Sequence, residues 1–422
     1  MSFHFFDIIG NMKKSTVVIG VLMWTVCFLS LGKANAYPGK PSGNVQSNVK
    51  TIQEAEARGF DVRALMGLMS IPSVSSDISA NNQAVSYLKK WFDKRGVYTA
   101  VCTNDVGRTV LYASALPGKK HDILFVTHID VVPASEDDQF QPKIKDGFLY
   151  GRGACDTKGN AFVIAQVLAN LAGKKSVAAV FATDEENRPA GLDTPTVLLN
   201  NGYIPQKFII VGDTNGEFQD SLTIAEKGHV VVKIIARGRG GHSSMPWAAD
   251  NPIPKLVDAY RKVKESFPKP DNPDDHWCEY LTPTRLLGSQ AGNIIPDVAE
   301  MHLSYRFIRP DGREWIKEFL EKTTGLEVWV PENCRLPIVS SPDNHFVKTL
   351  HEAMQRKWME RTVHLTKMSC ATDATRYVHL NLPTVIFGAT GFGTHARQER
   401  VSLQSLVEYM EMFTEYLTGL KY

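Results

Sequence analysis

Cysteine is scarce in this chain, with six residues among 422. One lies in an apolar N-terminal stretch, and the other five are Cys102, Cys155, Cys278, Cys334 and Cys370. An odd and widely spaced set is not the framework of a disulfide-rich fold. No pair has the Cys-x-x-Cys spacing, so a zinc site made of cysteines is not expected. One or two isolated bridges stay open if the chain works in an oxidising compartment.

The chain also lacks an excess of charge of either sign. Its formal net charge is +2, charged residues make up 22% of it, and hydrophobic residues make up 43%. This is an ordinary globular balance without the basic footprint of a nucleic-acid-binding protein, so no nucleic-acid partner is expected. Internal repeats and low-complexity segments are missing too. The length suits two domains.

Long apolar runs are absent except near the N-terminus. Lys13 and Lys14 precede an apolar stretch over 17–31, and Ala34-Asn35-Ala36 follows it. Positive charge, a short apolar core and a small-residue site predict a secretory signal peptide over 1–36, with Met12 as an alternative start. A membrane-spanning helix needs about 20 apolar residues, and this run is shorter. We therefore predict export to the periplasm or the medium, without a stable membrane anchor.

The pattern of the rest of the chain changes twice. Strand-like runs first alternate with helical patterns, the clearest helix being expected over 158–171, which predicts a parallel sheet covered by helices. After Glu226 comes a block of strands and helices with a Pro- and Asp-rich loop over 268–275. After Ser341 the first pattern returns. These changes predict a discontinuous first domain, 37–226 and 341–422, around a smaller α+β domain inserted at 227–340.

Predicted strands in the first domain end in residues that bind metals. The segments are 123–127 before His128 and Asp130, 178–183 before Glu185 and Glu186, 208–211 before Asp213, and 384–387 before a loop with His395. Open α/β sheets place their sites beyond the carboxyl ends of the strands. These side chains are therefore expected at one edge of the sheet.

One further carboxylate, Asp156, stands in the glycine-rich turn 151–159 before a predicted helix. It is either a helix N-cap or a carboxylate that bridges two cations. The neighbours Glu185 and Glu186 cannot easily point the same way, which suits one ligand and one base for hydrolysis.

Each residue alone has an ordinary explanation: a hydrogen-bonded histidine, an acidic loop or a surface histidine. Together they favour two cation sites of mixed nitrogen and oxygen ligands, which suit zinc, with cobalt or manganese as substitutes.

Several motifs in order resemble the M20 metallopeptidases, a family that includes acetylornithine deacetylase, succinyl-diaminopimelate desuccinylase, aminoacylase-1 and glutamate carboxypeptidase relatives. The motifs that carry the resemblance lie at 127–133, 151–159, 184–186, 239–246, 293–296 and 371–374. The resemblance runs from about residue 60 to the C-terminus. It implies a zinc-peptidase-like α/β fold, with a mixed sheet flanked by helices and an inserted lid and dimerisation domain. Asn160 departs from the family pattern, where glycine is common.

The resemblance also implies roles for the candidate residues. His128 and Asp213 would bind one zinc ion, Glu186 and His395 the other, and Asp156 would bridge the two. Glu185 would be the general base, and Asp130 would orient the His128 ring. A cis peptide is implied between Asp156 and Thr157.

Further residues are implied in the inserted domain and near the substrate. His242 would cross to the active site of a partner subunit in a homodimer and stabilise an oxyanion, although a turn histidine is the ordinary explanation. Asn293 and Arg306 would hold the substrate near its carboxylate, because arginine can give a carboxylate two hydrogen bonds. Gly391 would lie in a loop that approaches the substrate with its backbone.

These expectations combine into one function. The chain is expected to be an exported zinc-dependent hydrolase that cleaves the amide bond of N-acyl amino acids or short peptides with a free carboxylate. Metal-bound hydroxide would attack, with Glu185 as general base. Two alternatives stay open: a biosynthetic deacylase like acetylornithine deacetylase, and a binding protein without turnover on the same scaffold.

Overall fold

A computed structural model describes residues 49–187, 193–213, 221–269, 276–289 and 291–421. The predicted signal segment 1–36 lies outside these residues. Strands in the described part are β1 Tyr98–Thr103, β2 Thr109–Ser114, β3 Lys120–His128, β4 Lys143–Lys145, β5 Phe148–Tyr150, β6 Val177–Ala182, β7 Ile204–Gly212, β8 Ser221–Glu226, β9 Gly228–Arg237, β10 Gly241–His242, β11 Tyr280–Leu287, β12 Ile294–Ile295, β13 Val298–Phe307, β14 Glu327–Trp329, β15 Ile338–Val339, β16 His364–Met368, β17 Thr384–Phe387, β18 Gly391–Phe392 and β19 Arg400–Ser402.

The α-helices of the described residues are α1 Ile52–Ala57, α2 Val62–Met69, α3 Ile78–Asp93, α4 Lys158–Asn170, α5 Thr194–Asn200, α6 Pro252–Ser266, α7 Gly312–Thr324, α8 His345–Lys357 and α9 Leu403–Gly419. Local sequence explains many of their starts. Asn251 caps α6 through a bond from the Ile253 amide, and Pro252 takes the first helical position, where its missing amide hydrogen costs nothing. No helix in the described ranges combines the length and apolarity that a membrane crossing requires.

A nine-stranded sheet, called the large sheet here, has the order β1-β2-β6-β3-β7-β17-β8-β15, with β16 beside β8. Its central strands β6, β3, β7 and β17 are parallel neighbours. Strands β1, β2 and β15 pair antiparallel with their neighbours, and so do β17 and β8. The sheet is therefore mixed, as the family resemblance implies, rather than all parallel as the alternation of strands and helices suggests.

Both faces of the large sheet are buried, because alternate residues of each strand point to opposite sides. In β3, Ile123 and Phe125 join the core formed with α2, α3, α4, α8 and α9. Leu124 and Val126 join the opposite core, which includes residues of α5 and of a 3-10 segment at Asp373–Leu380. The result is a sheet with helical layers on both sides.

The small sheet, β11-β13-β9-β14, is antiparallel and lies within residues 228–329. It has its own hydrophobic core, in which residues of β9 and β13 pack against α6 and α7. The chain then returns to the large sheet through β15, which pairs with β8. This arrangement agrees with an inserted α+β unit, while the exact division at 226 and 340 stays a prediction.

Candidate metal centre

Parallel strands bring the predicted metal ligands to one edge of the large sheet. His128 is the last residue of β3, and Asp213 directly follows β7. Glu185 and Glu186 follow β6, and His395 lies in the loop between β18 and β19. Since β6, β3, β7 and β17 are parallel neighbours, their carboxyl ends meet at the same edge.

The two oxygens of Asp156 face two different histidines. Asp156 Oδ1 lies 3.3 Å from His128 Nε2, which is 3.8 Å from Asp213 Oδ1. Asp156 Oδ2 lies 3.1 Å from His395 Nε2, which is 3.1 Å from Glu186 Oε2. We call His128 and Asp213 the inner half-site, and Glu186 and His395 the outer half-site. Asp156 lies between them, in the position of a bridging carboxylate.

The turn that carries Asp156 is folded tightly against its surroundings. Gly153 has φ +82°, and a Cβ atom there would lie 2.9 Å from Val131 Cγ1, so glycine suits the position both by conformation and by space. The peptide bond between Asp156 and Thr157 is cis, which agrees with the family resemblance. Helix α4 begins immediately afterwards, at Lys158.

Asp130 contacts both the His128 ring and the turn that carries the two glutamates. The Nδ1 atom of His128 lies 3.0 Å from the backbone carbonyl of Asp130 and 3.4 Å from its carboxylate. The carboxylate accepts the backbone amides of Glu185 and Glu186 at 3.2 and 3.1 Å. The carboxylate thus fixes the turn with the two glutamates, while the orientation of the His128 ring by Asp130 stays a prediction.

The charges of the cluster fit divalent cations. Burial alone would lower the pKa of His128, yet Asp130, Asp156 and Asp213 raise it well above its usual value. Hydrogen bonds with Asp156 and Glu186 raise the pKa of His395 to about 10. The carboxylates thus draw positive charge into the cluster. Carboxylate oxygens and imidazole nitrogens are zinc ligands, and the atoms that His128, Asp156 and Glu186 offer lie within 4.8 Å of one another.

Glu185 lies beside this cluster and has a cationic neighbour. Its carboxylate is 3.1 Å from Arg335 Nη1, and its side chain is 13% exposed. Burial raises the pKa of the Glu185 carboxyl to about 8, although the charges of His128 and Arg335 oppose this. A carboxyl group with a pKa near neutrality can both accept and return a proton, which suits a general base.

The residues predicted to hold substrate are placed less closely together. His242 and Asn293 lie exposed at the β10–β12 ribbon, where the Ser243 amide donates to the Asn293 carbonyl at 3.0 Å. His242 Nδ1 bonds to Ser244 Oγ at 2.7 Å. Within the described residues, no hydrogen bond joins His242 to any of the five candidate metal ligands. Arg306 is partly buried on β13. Their roles in substrate binding stay predictions.

Gly391, by contrast, is buried at the start of β18, against the turn before Asp156. A Cβ atom at Gly391 would lie 2.2 Å from Cys155 Cβ, so any side chain would push the two segments apart. The close approach explains why glycine stands here. Contact with substrate through its backbone stays a prediction.

Sequence reasoning missed two contributors. Arg335 contacts Glu185 and also donates to the Ala371 carbonyl at 2.5 Å. Asn160 is fully buried and connects three segments: its Nδ2 donates to Thr157 Oγ1 at 2.8 Å and to the Asp213 carbonyl at 3.2 Å, and its Oδ1 accepts the Ala389 amide at 2.8 Å. No local pattern marks Arg335, but Asn160 carried a signal as a departure from a glycine in the family motif.

Residues 124–419 match the model of peptidase family M20/M25/M40. A succinyl-diaminopimelate desuccinylase of Helicobacter pylori is 30% identical over 317 residues, covering 70% of this chain and 80% of that protein. An enzyme of the same name from Wolbachia pipientis is 25% identical over 374 residues, covering 83% of this chain and 90% of that protein.

Solved structures share the fold at lower identity. An M20 family metallo-carboxypeptidase from Sulfolobus solfataricus superposes with a TM-score of 0.69 at 17% identity, covering 85% of this chain and 98% of that one. A tripeptidase from Staphylococcus aureus gives 0.68 at 18% identity, with 86% and 98% covered. A dinuclear metal binding M20 peptidase from Bacillus subtilis gives 0.60 at 16% identity, with 87% and 99% covered. The chain therefore belongs to peptidase family M20/M25/M40 and is a hydrolase that acts on amide bonds.

Proposed function

We propose that this chain is an exported, two-zinc hydrolase that removes the acyl group from N-acyl amino acids or cleaves short peptides with a free carboxylate. The observation that carries the proposal is the position of Asp156, whose two oxygens face His128 on one side and His395 on the other. Asp213 and Glu186 complete the two pairs. Zinc held by these residues would lower the pKa of a water molecule and polarise the substrate carbonyl.

In this proposal the proton is handled by Glu185. Glu185 directly precedes the candidate ligand Glu186, but its carboxylate pairs with Arg335. We therefore assign Glu185 no role as a metal ligand. Glu185 takes a proton from the attacking water and returns it to the departing amine. Arg335 holds the carboxylate in place from the side of the small sheet, because its backbone pairs with that of His229, the second residue of β9.

The carboxylate of the substrate is assigned to Arg306 and Asn293. A guanidinium fork can give a carboxylate two parallel hydrogen bonds. Burial lowers the pKa of Arg306, which marks a charge that gains from an anionic partner. The names of the relatives support both substrate classes: the curated relatives are desuccinylases, and the solved structures include a carboxypeptidase and a tripeptidase.

A homodimer is part of the proposal. His242 is exposed and would stabilise the oxyanion in the active site of a partner subunit. Large apolar side chains near it are exposed as well, including Trp247 at 80% and Ile294 at 54%, which is typical of a protein-protein contact surface. Export rests on the signal pattern at 1–36 alone, and mass spectrometry of the mature N-terminus tests it: an intact Met1 or Met12 contradicts it.

A substrate panel on zinc-reconstituted protein tests the activity. N-acetyl and N-succinyl amino acids, dipeptides and tripeptides are compared with the same compounds carrying a C-terminal amide. We expect turnover of free acids only, loss on chelation, and recovery with zinc. Arg306→Gln should raise KM for the free acids more than it lowers kcat, because it removes a binding contact. Equal turnover of the amidated set would contradict the carboxylate requirement, and turnover in chelator would contradict the two-zinc mechanism.

The names of the curated relatives do not favour the alternative of a biosynthetic deacylase like acetylornithine deacetylase. The same panel decides it, since a biosynthetic deacylase would turn over one N-succinyl or N-acetyl diamino acid and leave dipeptides intact. Broad turnover of peptides would exclude that alternative.

A further inference from the structure

The loop that carries His395 needs support from outside itself. The His395 side chain is 51% exposed. Its backbone has φ +63°, a left-handed conformation that is uncommon for residues other than glycine, although histidine adopts it more often than most. His128, by contrast, ends a strand of the large sheet. Some other contact must therefore fix the position of His395 relative to Asp156.

A buried ion pair supplies this contact. Arg152 Nη1 lies 2.6 Å from Glu399 Oε2, and the two side chains are only 2% and 1% exposed. Burying two charges is costly, and a buried pair often adds little net stability. Its place in the structure is informative, because it joins the turn before Asp156 to the loop after His395.

Each member of the pair also binds the backbone of a candidate ligand. Arg152 Nη2 donates to the His395 carbonyl at 3.0 Å. Glu399 Oε1 accepts the amides of Cys155 and Asp156, both at 3.1 Å. The Gly151 amide in addition donates to the Glu399 carbonyl at 3.1 Å. The pair thus contacts the main chain of one ligand from the outer half-site and of the bridging carboxylate.

We propose that Arg152 and Glu399 are positioning residues that set the spacing of Asp156 and His395 and so determine how tightly the outer half-site holds its cation. The inference rests on the two-cation function proposed above. The positions of His128 and Asp213 come instead from β3 and β7. The inner half-site should therefore depend on the pair less than the outer one, and only through Asp156.

Cation binding by chelator-treated protein tests the inference without relying on turnover. Isothermal titration with Zn²⁺ measures the two affinities, and Co²⁺ absorption reports the ligand geometry of each bound ion. Glu399→Gln keeps the size and an acceptor oxygen but removes the charge that holds Arg152. Arg152→Lys keeps the charge but removes the fork. Loss of a supporting partner of a metal ligand costs about 10–100-fold in metal affinity. We expect that loss at the outer half-site, with a smaller loss at the inner one.

Two controls separate positioning from general stability. Glu411→Gln breaks the ion pairs of Glu411 on α9 with Arg58 and Lys357, and it should leave both affinities unchanged even if the melting temperature falls. In a His395→Ala background, Glu399→Gln should have little further effect on cation binding. In a His128→Ala background, it should weaken the remaining site by the full factor.

The outcomes distinguish the inference from the function on which it rests. Wild-type protein that does not bind two cations overturns both. Wild-type protein that binds two, with Glu399→Gln and Arg152→Lys binding both as tightly, overturns the positioning role alone. Failure of both variants to fold would assign the pair a purely structural role and so overturn the inference too.

Discussion

The inner and outer half-sites use similar ligands but are built differently. His128 and Asp213 stand at the ends of neighbouring parallel strands, with side chains 2% and 8% exposed. Glu186 lies in a turn after β6, and the 51% exposed His395 lies in a loop. The sheet fixes the inner ligands directly. The outer ligands depend on side chains elsewhere, namely Asp130 for the glutamate turn and Arg152 with Glu399 for the histidine loop.

This difference has a consequence for metal loading. A ligand held by a strand is already in place before the cation arrives, whereas a ligand on a loop must be ordered when the cation binds, at an entropic cost. We therefore expect the inner cation to bind more tightly than the outer one. Asp156 couples the two, because each of its oxygens belongs to a different half-site.

The largest effect is expected from a residue outside both half-sites. Glu185→Gln should lower kcat by roughly 10²–10⁴-fold, the usual contribution of a general base. Both cations should stay bound, since Glu185 pairs with Arg335. Steady-state kinetics and metal analysis on the same preparation check this. Unchanged kcat would remove Glu185 from the mechanism, and loss of a cation would make it a ligand instead.

Removing one histidine from each half-site tests directly whether the two half-sites differ in how firmly they hold a cation. His395→Ala should keep one cation per chain, because water can replace an exposed imidazole. His128→Ala removes the buried imidazole that faces both Asp156 and Asp213, so it should lose cations at least about tenfold more readily. Metal content after gel filtration measures the difference. Equal losses in the two variants would show that the halves do not differ.

A smaller effect is expected from Asn160, which supports the inner half-site through the Asp213 carbonyl. Asn160→Ala leaves buried backbone groups without a partner, at a cost of about 1–3 kcal/mol in the free energy of unfolding. Asn170 on the same helix is a matched control, because its side chain bonds to Thr414 Oγ1 outside the site. Denaturant unfolding measures the loss in the free energy of unfolding for both alanine variants. An equal or larger loss for Asn170→Ala would contradict the supporting role given to Asn160.

The last effect concerns Glu226, the final residue of β8, two positions before the small sheet begins at Gly228. Burial raises the pKa of its carboxyl from 4.5 to about 8. The folded state therefore binds the proton more tightly than the unfolded chain, so the stability linked to Glu226 is present below pH 4.5 and is lost as pH rises through about 8.

Glu226→Gln removes this titration. Its melting temperature relative to the wild type should rise between pH 5 and pH 9, while the exposed Glu327→Gln serves as a control without such a trend. A difference that stays constant with pH, or that falls, would show that Glu226 titrates near its ordinary value.

The sequence predicts well which functional residues stand at the carboxyl ends of strands. His128 ends β3, Asp213 directly follows β7, and Glu185 and Glu186 come shortly after β6. Parallel pairing brings such residues together. The sequence also marks α6, because Asn251 and Pro252 are a cap and a first helical residue.

What it does not show are contacts between distant positions. Arg335 meets Glu185 across 150 residues and Arg152 meets Glu399 across 247, with no local pattern to mark either pair. Strand β11 also escapes prediction, because it is an exposed strand at the edge of the small sheet and contains Pro283. The sequence predicts that Asp130 orients the His128 ring, but it does not show that the Asp130 carboxylate also accepts the amides of Glu185 and Glu186, which only the fold brings near.

Anomalous diffraction at the zinc edge, from crystals of zinc-loaded protein, tests the central claim most directly. The account predicts two peaks, one beside His128 and Asp213 and one beside Glu186 and His395, with an oxygen of Asp156 next to each. The peak at the outer half-site should be the first to weaken when zinc is lowered during crystal soaking. A single peak, or two peaks that Asp156 does not separate, would contradict the account.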